Sequence, residues 1–106
     1  MELAFKTKAL QSLFLHQDQL MEKFGDAATY KIMTCLDEIR AAWSIDDIVS
    51  ADVEKSDDGQ SIGIRTMSGV VLCIRPNHMS LPQDLAGNLD WDEIYRLKLA
   101  EVQTDD

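Results

Sequence analysis

Four basic residues stand out by their spacing: Arg65, Arg75, Arg96 and Lys98. Each lies in a run where apolar and polar residues alternate. Strand side chains point to opposite faces in turn, so the polar members of neighbouring runs share one face. In "SIGIRTM", Ile62 and Ile64 go one way, and Ser61, Gly63 and Arg65 the other. In "VVLCIR", Val70, Leu72 and Ile74 oppose Val71, Cys73 and Arg75. In residues 94–102, Tyr95, Leu97 and Leu99 are expected inward, with Ile94, Arg96, Lys98 and Ala100 pointing away. The apolar sets should face a core, which leaves the four cations together on the opposite face. Such a face can position an RNA backbone through its phosphates. It can seat an acidic protein partner. It can also coat solvent, pairing with Asp and Glu across strands.

This gathering runs against the chain as a whole, whose net charge is −9 and whose pI is about 4.5. An acidic balance argues against a general nucleic-acid or membrane binder, which carries a basic excess, but leaves room for a local basic patch. The 106 residues fit one domain, residues 1–106, and 45% hydrophobic content is enough for a core. No apolar run approaches the roughly 20 residues of a membrane span. Residues 1–15 contain Glu2, Lys6 and Lys8 and no signal-peptide pattern, so the expected location is cytoplasmic.

Other reactive groups point to structure more than to chemistry. Cys35 and Cys73 lie in apolar periodic stretches without CxxC or Cys/His spacing, and read as buried thiols. His16 and His78 have no ligand-spaced partner. Asp46-Asp47, Asp57-Asp58 and Asp90/Asp92/Glu93 lack the calcium-loop pattern and read as solvated turns and helix starts. No metal or cofactor is expected. Trp91, in the polar stretch "NLDWDE", either plugs the end of the core or stands out as an anchor for a partner. Met67 and Met79 would add soft surface nearby.

The elements that must position these residues follow from periodicity. Residues 2–6 are a short strand, and Thr7 caps the next segment. Leu10, Leu13, Phe14, Met21 and Phe24 recur at helical spacing, interrupted by "HQDQ". Gly25 ends that helix and Asp26 caps a second one. Its stripe is Ala28, Ile32, Cys35, Leu36, Ile39 and Trp43. The pair reads as an αα-hairpin. "SIDD", residues 44–47, begins a short helical turn. "ADVEKSDDGQ" is polar and turn-rich around Asp58-Gly59, and Ser68-Gly69 turns the hairpin that follows. A long loop held by Pro76 and Pro82 leads to the last strand. The order predicts an α+β domain: an N-terminal strand and an αα-hairpin packed on one face of a small, mostly antiparallel sheet.

Several stretches, in this order, resemble the RelE/HigB-like toxins of bacterial toxin–antitoxin systems. These are "AFKTKALQSLF", "KFGDAATYKIMTCLDEIRAAWSIDDI", "DGQSIGIRTMSGVVLCIRP" and "NLDWDEIYRLKLAEV", together covering most of residues 3–102. The resemblance implies a RelE-like α+β fold and an enzyme that cuts mRNA in the ribosomal decoding site. It also implies a cognate antitoxin. Cleavage of this type uses the RNA 2′-OH as nucleophile, without a metal, and needs a base, a proton donor and cations for the developing charge. The family's lysine before the central hairpin falls near Lys55. Its aromatic-Arg pair falls on Val70 and Val71, which leaves Arg75 as the nearest arginine. Its terminal Tyr or His is replaced by "QTDD". Lys55, Arg65 and Arg75 are therefore the candidate catalytic cations, and Arg96, Lys98 and Trp91 the candidate binding residues. Two readings stand: a diverged ribosome-dependent mRNA endoribonuclease of this family, or a non-catalytic domain that binds a protein. The second includes self-association as a homodimer through an exposed strand edge.

Overall fold

The structure, a computed structural model, describes residues 1–49, 51–66 and 69–104. The expected soft surface at Met67, the turn residue Ser68 and the two terminal aspartates lie outside the described residues. Strand β1 (Glu2–Phe5) leads into three helices, α1 (Lys8–Leu15), α2 (Gln17–Phe24) and α3 (Asp26–Ala41). Four strands follow: β2 (Asp52–Lys55), β3 (Ile62–Arg65), β4 (Val70–Pro76) and β5 (Arg96–Thr104). They form one five-stranded sheet in the order β1-β5-β4-β3-β2. Only β1 and β5 run parallel; the other neighbours are antiparallel. The α+β architecture expected from the sequence is the one observed.

The helices begin and end where side chains satisfy free backbone groups. Thr7 Oγ1 accepts from Leu10 N at 3.1 Å and starts α1. The expected first helix is split in two at His16. Its ring Nδ1 lies 2.6 Å from Ser12 O, its backbone turns extended, and its own carbonyl accepts from Gln19 N and Leu20 N to begin α2. Gly25 then serves both ends. At φ 87°, a conformation only glycine takes freely, it donates to Met21 O and accepts from Thr29 N. Asp26 is thus not the cap of α3 but its first residue, where a carboxylate favours the helix dipole.

Helix α3 buries Thr29, Ile32, Cys35, Leu36 and Ile39, one stripe at helical spacing. Each fully buried aliphatic side chain contributes roughly 1.5–3 kcal/mol. Trp43 does not continue that stripe. The chain leaves the helix at Ala42 with ψ 149°, and Trp43 ends 89% exposed. The Met1 nitrogen donates to the carbonyls of Ile39, Arg40 and Ala42, at 3.1, 3.0 and 2.6 Å, and so ties β1 to the end of α3.

The helix stripe packs against Ile62 and Ile64 of β3, Leu72 and Ile74 of β4, and Leu97 and Leu99 of β5, all fully buried. Two strand expectations are corrected. An edge strand, β2, pairs with β3 where the sequence showed only polar turns, because an edge strand needs just one apolar contact, here Val53. Ile94 is fully buried and Tyr95 is 54% exposed, the reverse of the alternation. Both precede β5, and Ile94 closes the 3-10 turn Trp91–Glu93, so the strand's phase starts later. Within β5 the register slips: Cys73 faces Glu101 while Ile74 faces Leu99, leaving Ala100 as a bulge.

Candidate functional site: the open face of the sheet

The helices cover one face of the sheet, and the opposite face carries the sequence-predicted cations. Its composition follows from register. Arg96 pairs with Glu2, and Lys98 lies between Ala4 and Arg75. Cys73 lies between Glu101 and Gly63, with Glu54 beyond. Val71 lies between Gln103 and Arg65, with Asp52 beyond. A Cβ on Gly63 would meet Val71 Cγ1 at 3.4 Å, so the middle of the face is close-packed with small and apolar side chains.

At the rims each arginine faces an acid. Arg96 Nε lies 2.8 Å from Glu2 Oε2, a solvated pair of small energetic weight. Arg65 is in register with Asp52. On the inner strands, Arg75 and Lys98 are direct cross-strand partners of like sign. Across a sheet that arrangement is unfavourable by itself. Arg75 also acts on the β2–β3 turn. The Asp58 carboxyl is held below its usual value, first by the Ser56 hydroxyl at 2.6 Å, then by Gln60 N at 3.0 Å, and in smaller part by the Arg75 charge.

Lys55, Arg65 and Arg75 do not converge on one point. Lys55 and Arg65 line one shallow hollow of about 500 Å³, together with Glu54, Cys73 and Gln103. Arg75 is not among its lining residues and pairs with Lys98 instead. Lys55 sits on the β2 edge in register with Ile62, and its charge reaches Asp92. The Asp92 carboxyl is held above its usual value, chiefly by the hydrogen bond its protonated form donates to Asp46 and by the Asp46 charge, with Lys55 opposing. Among the described residues no cluster of three or more His, Cys, Asp or Glu could hold a metal ion. Cys35 and Cys73 are free thiols. Burial, and then Glu101, pushes the Cys73 thiol up, so it stays protonated and is a poor nucleophile.

Of the two readings offered for Trp91 the structure takes the core plug and not the partner anchor, and Trp43, expected in the buried stripe, is the tryptophan turned outward. Trp91 is 5% exposed, and its indole N–H donates to Gly59 O at 3.1 Å; it plugs the end of the core. The exposed tryptophan is Trp43. Beside it, Met1, Arg40, Ala42 and Tyr95 line a groove of about 480 Å³. Tyr95 is held by an edge contact with His78, centroids 4.6 Å apart, and by Arg96 at 5.5 Å from its ring. His78 is fixed in turn, since its Nε2 accepts from Tyr95 N and Arg96 N, both at 3.2 Å. Sequence reading missed this group. One signal was available: "SIDD" starts a new helical turn at Ser44, so the stripe could not run through Trp43.

Comparison of the chain with protein-family models, curated proteins and solved structures finds no match. Among the described residues no helix is long and apolar enough to cross a membrane.

Proposed function

We propose that this chain is a diverged RelE/HigB-like toxin-family protein that engages ribosome-bound mRNA through the open face of its sheet. The observation that carries the reading is the Arg75–Lys98 pair. Two like charges sit in register on the inner strands β4 and β5 of the open face, and the Ala4 beside Lys98 offers no carboxylate. A bridging phosphate relieves that repulsion and gains two charge-assisted contacts. The element order, one strand, helices, then an antiparallel run ending beside β1, supports the resemblance noted from the sequence.

In this reading the 2′-oxygen attacks the adjacent phosphorus, the P–O5′ bond breaks, the departing O5′ takes a proton from water, and a cyclic phosphate and a 5′-hydroxyl result. Arg75 and Lys98 stabilise the extra negative charge, and Arg65, farther along the face, holds a flanking phosphate. The 2′-OH proton needs an acceptor. Glu101 is the only carboxylate that β4 and β5 place on this face away from the rims, one row from the Arg75–Lys98 pair. The specific observation favouring the second reading, a non-catalytic protein-binding domain, is that Val70 and Val71 stand where the family keeps an aromatic-Arg pair.

Induced expression in a bacterial host, following growth and the integrity of ribosome-bound transcripts, tests the proposal. Growth arrest with codon-positioned cleavage, lost in Arg75→Ala and in Glu101→Gln, is the expected result. Normal growth and intact transcripts from verified folded protein would sink the nuclease and leave the binding domain.

A further inference from the structure

The groove beside Trp43 is continuous with the cationic face. Two neighbouring hollows share Met1, Glu2 and Arg40 as lining. The first, of about 490 Å³, also takes in Arg96 and Asn77; the second takes in Trp43 and Tyr95. Arg96 lies on the same face of β5 as Lys98, two residues away, so the cations run Arg75, Lys98, Arg96, Arg40 toward the aromatic pair. Trp43 presents most of its ring to solvent, and its backbone N–H is anchored to Asp47 Oδ2 at 3.0 Å. Tyr95 is held by His78 and Arg96. Exposed aromatic faces beside arginines are the arrangement that binds single-stranded nucleic acid, with stacking for the bases and charge for the backbone. Arg96 and Arg40 each rest in an exposed ion pair, with Glu2 at 2.8 Å and Asp37 at 3.9 Å, weak enough in water for a phosphate to compete.

We infer that Trp43 and Tyr95 form a base-stacking subsite for single-stranded RNA, with Arg40 and Arg96 holding the flanking phosphates. The subsite rests on the RNA reading above and extends it: the strand crosses the open face along Arg75 and Lys98, and an unpaired base lies in the groove at the end of α3. Stacking is tolerant of sequence because every base has a π-face, so the subsite selects unpaired RNA rather than a particular base.

The test titrates the full chain with a short fluorescein-labelled oligoadenylate at low salt, reading anisotropy for binding and tryptophan emission for stacking. Trp91 is buried, so quenching reports on Trp43. The expected result is saturable quenching, with affinity about ten-fold weaker in Trp43→Ala and in Tyr95→Ala. Lys98→Gln should weaken binding and its salt dependence yet keep full quenching at saturation. Trp43 is exposed, so its variant should fold, which circular dichroism verifies. Unchanged RNA affinity in Trp43→Ala, or equal quenching by inorganic polyphosphate, overturns the subsite while the RNA reading survives. No anisotropy change for the parent chain overturns the subsite, and the nuclease reading is then decided by transcript cleavage in the induced host. Self-association that is lost in Trp43→Ala, with no quenching by RNA, assigns the patch to a protein contact and overturns the subsite.

Discussion

Arg75 on β4 and Lys98 on β5 face each other directly across neighbouring strands, two positive charges on the open side of the sheet. Removing the repulsion should stabilise the fold and damage the function. Lys98→Glu is expected to gain about 0.2–1 kcal/mol by pairing with Arg75. The same variant should lose oligoadenylate binding. Urea melts beside the anisotropy titration check both, and a destabilised Lys98→Glu would remove the argument from this pair.

Trp43 and Trp91 should separate cleanly in stability. Trp43→Ala lies on the surface and is expected to shift stability by less than about 0.5 kcal/mol. Trp91→Ala removes a buried ring and a hydrogen bond to Gly59 O, and should cost about 3–5 kcal/mol. Chemical denaturation of the two variants side by side is the measurement.

Thr29 is fully buried in α3, and among the described residues its hydroxyl oxygen finds no hydrogen-bond partner. A buried unsatisfied hydroxyl costs about 1–3 kcal/mol. Thr29→Val keeps the shape without the polar atom, so its melting temperature should rise. A fall would show that the hydroxyl is bonded in solution.

Asp46 and Asp92 join the turn Ile45–Asp47 to the turn Trp91–Glu93. Asp92's folded value is raised, so the pair adds stability in acid, where a proton is shared. That contribution is lost as pH rises through the folded value. Asp46→Asn removes the repulsion, and its melting temperature should exceed the parent's at neutral pH. The gap should close as pH falls. A constant gap across pH would contradict the shared proton.

His78 accepts two backbone N–H bonds on Nε2, so its neutral ring carries the proton on Nδ1. Nitrogen NMR of the ring should show that tautomer. In His78→Ala the Tyr95 and Arg96 amides lose their acceptor and should exchange faster with solvent. Unchanged exchange in that variant would show that the loop is held otherwise.

Much of this architecture was legible in the chain. The alternation in residues 61–75 defined β3, β4 and their buried set, because a half-buried strand must repeat every second residue. Gly25 marked the boundary of α3, because the backbone there needs a positive φ. The four cations of the open face could be listed for the same reason, as the residues left over when the apolar sets turned inward. Other features depended on partners distant in sequence. β2 exists because β3 offers it an edge, and the parallel pairing of β1 with β5 joins the two ends of the chain. The fate of each tryptophan was decided by neighbours that local periodicity does not contain. Trp91 is drawn in by Gly59, and Trp43 is turned out where Ala42 leaves the helix. The sequence by itself determined which residues could be inside and which cations could share a face. Only the tertiary structure decided that Arg75 meets Lys98, because strand register sets that pair, and that Trp43 and Tyr95 line one groove, because the end of α3 is packed beside the start of β5.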